Sequence, residues 1–83
     1  MIERNVEVSP QRAAEIAQWT EQLQDESALL DAPGARHKVL LHQAYALHQQ
    51  GVINSDDLSD LLEQADGALA YAVEALFDRQ ARE

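Results

Sequence analysis

Three histidines, His37, His42 and His48, fall in one short stretch and have the most chemistry to offer. A helix through that stretch turns His37 and His48 to nearly the same side, because eleven residues make almost three turns. It also separates them by about 16 Å along the axis, too far to share one metal ion. His42 points elsewhere. The chain has no His-x-x-x-His pair and no Glu-x-x-His triplet, the spacings that hold zinc or a di-iron centre on helices. The expectation is no metal and no cofactor. His37 and His48 should be boundary residues, each hydrogen-bonded to a neighbouring carboxylate. They are also the candidate pH-sensitive pair, through which folding or self-association would change between about pH 7.5 and 5.5.

Catalytic patterns are equally sparse. Ser9, Ser27, Ser55 and Ser59 have neither a nucleophile-elbow nor a Ser-x-x-Lys context. Lys38 is the single lysine, there is no cysteine, and the three glycines at 34, 51 and 67 stand apart instead of forming a phosphate-binding loop. The adjacent carboxylates Asp56 and Asp57 suit a helix start, where the dipole favours negative charge. No catalytic residue is expected, and an enzyme would need a dimer interface to build its pocket.

One row of residues is a candidate partner surface. Asp56, Asp60, Glu63, Glu74 and Asp78 project from one side of the last helix, with Gly67 and Tyr71 at the gap between Glu63 and Glu74. Carboxylates would steer a basic partner, Gly67 would allow close approach, and Tyr71 would anchor it. A bland solvated face has the same composition.

These side chains must be carried by helices, and the helix ends are well marked. Ser9-Pro10 supplies a cap and a first-turn proline. From there Ala13, Ile16, Thr20, Leu23, Ser27 and Leu30 make a stripe with Trp19 at its margin, so a helix is expected over 10–28. Asp31-Ala32-Pro33-Gly34 breaks it. A second helix, 34–50, turns Leu40, Leu41, Ala44 and Leu47 to one side and closes at Gly51, with Val52 packing back on Leu47. A third, 55–79, opens with Asn54 and Asp57 in a capping box and Ile53 and Leu58 as a staple. Its core face is Leu58, Leu61, Leu62, Ala65, Leu69, Ala72, Val73 and Leu76. Gly67 falls opposite that stripe, so the helix should run through it.

The fold class expected is all-α, a small three-helix domain dominated by an antiparallel hairpin of the second and third helices. Residues 1–8 would be a short extended arm and 9–83 a single helical domain. At 83 residues without a disulfide, such a domain gains stability most readily by self-association. Ala65, Ala68, Ala72 and Ala75 along one edge, with Leu29, Tyr45 and Phe77 off the main faces, point to a homodimer.

Charge narrows the function classes. The net is −9, distributed as −5 over 1–31, +2 over 32–54 and −6 over 55–83. That balance excludes direct nucleic-acid and anionic-membrane binding, both of which need a basic footprint. Without an apolar leader or span, a cytoplasmic location is expected. The function expected is a small acidic non-catalytic protein-interaction module, an adaptor, inhibitor or antitoxin-like regulator, meeting a protein with a basic surface. The alternative is an acidic nucleic-acid mimic that blocks a basic nucleic-acid-binding protein. An enzyme with its site at a dimer interface is the third class.

Overall fold

The computed structural model describes residues 10–81, and every regular element among them is an α-helix. Four helices follow in order: α1 (Pro10–Leu23), α2 (Glu26–Asp31), α3 (Pro33–Gln49) and α4 (Ser55–Ala81). The arm expected at 1–8 and the Ser9 cap lie outside the described residues.

The helix expected over 10–28 is therefore two helices, and three helices become four. α1 stops at Leu23, and a carboxylate oxygen of Asp25 accepts the Ala28 N–H at 3.2 Å to start α2. An Asp cap followed by an acid in the first turn outcompetes continuation of α1. α2 ends at Ala32, whose φ of −149° and ψ of 80° are the extended geometry that Pro33 imposes on its predecessor. Pro33 then occupies the first turn of α3, where a missing N–H costs nothing.

The two later junctions follow local chemistry closely. Gly51 adopts φ 79°, its N–H reaches the His48 carbonyl and the Val52 N–H reaches the Leu47 carbonyl, both at 3.0 Å. This pair of bonds is the Schellman closure of α3. Asn54 and Asp57 exchange bonds, Asp57 N–H to Asn54 Oδ1 at 2.8 Å and Asn54 N–H to Asp57 Oδ2 at 3.1 Å. Ile53 is buried beside Leu58, and α4 continues unbroken through Gly67.

α3 packs most extensively on α4, with α2 against both and α1 chiefly against α3. The core joins Trp19, Leu40, Ala44, Leu47, Ile53, Leu61 and Ala65, with Ile16, Leu23, Leu41, Val52, Leu58 and Leu62 around it. Ala44 and Ala65 are wholly buried, and their small side chains permit close helix approach.

Three sequence expectations need correction here. Trp19, expected at the margin of the apolar stripe, is instead central to the packed face at 2% exposed, with its indole N–H donating to the Leu40 carbonyl at 2.9 Å. The inward face of α1 is Arg12, Ile16, Trp19 and Leu23, turned by roughly 40° from the Ala13–Thr20 stripe. Thr20 instead returns its hydroxyl to the Ile16 carbonyl at 2.8 Å. Leu29, expected to lie off the packed faces, is 4% exposed because α2 turns it inward. Val73, assigned to the core face of α4, is 51% exposed.

Candidate functional site

α4 is long enough to carry core contacts on one side and the whole acidic row on the other. Asp56, Asp60, Glu63, Gly67, Tyr71, Glu74 and Asp78 are all exposed. At ~100° per residue they fall within an arc of about 80°, opposite Leu58, Leu61, Ala65 and Ala72. Among the described residues, Asp60, Glu63 and Glu74 form no ion pair or hydrogen bond within the chain.

Tyr71 has a second role that sequence alone did not indicate. Its hydroxyl donates to a carboxylate oxygen of Glu26, tying the first turn of α2 to α4. The hydrogen bond to Glu26, its negative charge and partial burial together push the phenol above the usual tyrosine range. The ring is still about half exposed. It forms one wall of a groove of about 440 Å³ lined by Leu23, Gln24, Glu26, Leu29, Gln64 and Ala68. Ala68, on the Ala65–Ala75 edge, lines this groove where α2 packs on α4.

At the other end of the row, Arg12 of α1 grips Asp57 through two bonds, Nε to Oδ2 at 2.9 Å and Nη2 to Oδ1 at 2.6 Å. The Arg12 hydrogen bonds, with help from the Asn54 N–H and the guanidinium charge, hold the Asp57 carboxyl below the usual carboxylate range against some burial. Asp57 therefore caps its own helix and docks another. Asp60 borders the same α1–α4 groove.

Gly67 is a gap in the row, open to solvent. A Cβ built there meets no atom within 4 Å. Replacing Gly67 with Ala should raise stability by about 1 kcal/mol, the helix-propensity difference, measured as a higher urea midpoint. A loss of stability would show that the position is packed.

The histidines occupy separate surroundings. His37 is half-buried and its Nε2 lies 2.8 Å from Asp66 Oδ1 on α4, as expected of a boundary histidine. His42 is exposed, and His48, half-buried in the last turn of α3, lacks the carboxylate partner expected of it among the described residues. Among the described residues, no three His, Asp or Glu side chains gather where they could hold a metal ion. Among the described residues, no helix is long and apolar enough to cross a membrane.

Sequence reasoning also missed Gln43. Its Oε1 is buried without a hydrogen-bond partner, beside a groove between α1 and α3 that Glu15, Gln18, Gln22 and Gln50 line. Nothing local in the sequence marks it, because its burial comes from α1 packing across α3.

No family model matches this chain, and no curated protein or solved structure matches it either.

Proposed function

We propose that this chain is a small non-catalytic protein-interaction module. It is built on an antiparallel α3–α4 hairpin, acts as a homodimer and recognises a basic protein partner through the acidic side of α4. The observation that carries this reading is the adjacency of charge and apolar surface at Tyr71. Among the described residues Asp60, Glu63 and Glu74 have no bonded partner, and Tyr71, which lies between Glu63 and Glu74 in the row, is also a wall of the Leu23–Leu29–Ala68 groove. Interfaces gain affinity from an aromatic or apolar anchor and gain rate and selectivity from charges around it. Here the carboxylates steer, Gly67 leaves room for a partner's backbone, and the groove takes one apolar side chain.

Capture of basic proteins on the immobilised chain at about 50 and 300 mM salt tests the reading. Exposed charge attraction is strongly screened over that range. Retention at low salt and release at high salt supports the acidic surface. Capture indifferent to salt contradicts it. Displacement of the captured protein by DNA or RNA would identify the chain as a nucleic-acid mimic, whereas nucleic acid bound alongside it would exclude mimicry.

A further inference from the structure

The groove between α1 and α3 is lined by the same spacing on both helices. Glu15, Gln18, Trp19 and Gln22 come from α1, and Gln43, Ala46, Leu47 and Gln50 from α3. Each set follows the i, i+3, i+4, i+7 pattern that keeps four side chains on one side of a helix. Trp19 and Leu47 are buried, so they form the apolar floor. Two polar groups above it lack partners. Gln43 Oε1 is buried and accepts no hydrogen bond. Glu15 is half-buried, and its carboxylate forms no ion pair or hydrogen bond among the described residues. Acceptors withdrawn from water are normally paired, because nothing else replaces their solvation. The side chains of Gln18, Gln22 and Gln50 form no bond among the described residues either, and each adds a further carbonyl oxygen. No basic residue lines the groove. Arg12 is held by Asp57, and Arg36 lines a separate groove with Asp31.

We propose that this groove takes an arginine side chain of a partner protein. A carboxylate offers acceptors only, so Glu15 together with Gln43 Oε1 calls for a ligand that is both cation and donor. The acceptors are spread over two helices. That arrangement suits a guanidinium, with five N–H donors in a fork, better than the compact ammonium of lysine. An arginine also needs an apolar track for its methylene stem, and Trp19, Ala46 and Leu47 provide one. The groove holds about 430 Å³, inside the range of about 300–1,000 Å³ usual for small-ligand sites. It shares no residue with the acidic row of α4, so the failure of either reading would leave the other standing.

Trp19 is the only tryptophan of the chain, so its fluorescence reports what enters the groove. Titration of the full chain at low salt with Nα-acetylarginine amide should give a saturable change with a Kd of about 1–10 mM. The citrulline analogue, which keeps the shape and loses the charge, should bind at least about tenfold more weakly. Glu15→Gln and Gln43→Leu should each weaken arginine binding at least about tenfold. Gln43→Leu should also raise the urea midpoint, because it removes the unpaired buried oxygen. No saturable response from the wild-type chain up to about 50 mM probe would overturn the proposal. Undiminished binding by the two folded variants would overturn it as well, and equal binding of the citrulline analogue would remove the case for a cation. Arg4 of the same chain is the competing occupant. If Arg4→Gln binds the probe and the wild-type chain does not, the groove is filled from within and the partner assignment falls.

Discussion

Replacing Trp19 with alanine is expected to cost about 3–5 kcal/mol, the usual cost of emptying a buried aromatic site. A chain of this length has a total stability of roughly 4–12 kcal/mol, so the variant should lose between about a quarter and all of it. The reason lies in where the indole sits. It is 2% exposed, it is part of the cluster with Leu40, Ala44 and Leu61, and its N–H donates to the Leu40 carbonyl. Trp19→Phe separates the two contributions, since it keeps most of the ring and loses the hydrogen bond. Its cost should be about 1–2 kcal/mol. Urea denaturation followed by circular dichroism measures both. A loss under about 1 kcal/mol for the alanine variant would mean that α1 is not docked as described.

Asp57 is the second position with a large expected effect, because one carboxylate performs two tasks. It accepts the Asn54 N–H that completes the α4 capping box, and it receives both Arg12 bonds that fix α1 against α4. Loss of the cap alone costs about 1 kcal/mol, and Asp57→Ala should exceed that by whatever α1 docking contributes. Arg12→Ala should recover only the docking share. The pH dependence has a definite sign. The folded-state pKa of Asp57 is lowered, so its contribution is present above the unfolded carboxylate pKa and is lost as pH falls through the folded value. Wild-type stability should therefore decline from about pH 5 downward, and Asp57→Asn should flatten that decline. An unchanged acid limb in the Asn variant would assign the acid sensitivity elsewhere.

The features legible in the sequence were those set within a few residues. The α3 closure needs only Gly51 with Leu47 and His48, and the α4 start needs only Asn54 and Asp57, so spacing identifies both. The long apolar stripe of α4 was legible for the same reason, and it stays in phase across Gly67. The division of the first helical stretch depends on Asp25, whose cap signature competed with an apolar pattern that appeared continuous to Leu30. The orientation of α1 was not legible at all. Its stripe and the Arg12–Trp19 face differ by roughly 40°, less than a helix wheel resolves. What settles the matter is Trp19 reaching Leu40 and Arg12 reaching Asp57, contacts between residues 21 and 45 positions apart.

The same division runs through the candidate surface. The row from Asp56 to Asp78 follows from periodicity along one helix and could be written down from the sequence. The Glu26–Tyr71 bond and the groove beside it could not, because α2 had to be separated from α1 before it could lie on α4. That groove meets the row at Tyr71, whose ring belongs to both.

On the proposed function, the acidic side of α4 binds a partner and is separable from the fold. The direct measurement is partner capture by the variant Asp60→Lys, Glu63→Lys and Glu74→Lys, alongside its urea midpoint. Stability should stay within about 1 kcal/mol of wild type, because the three side chains are exposed and form no bond within the described chain. Capture at low salt should fall at least tenfold, and what remains should no longer depend on salt. Undiminished capture by a folded triple variant would contradict the claim and reduce the row to a solvated face.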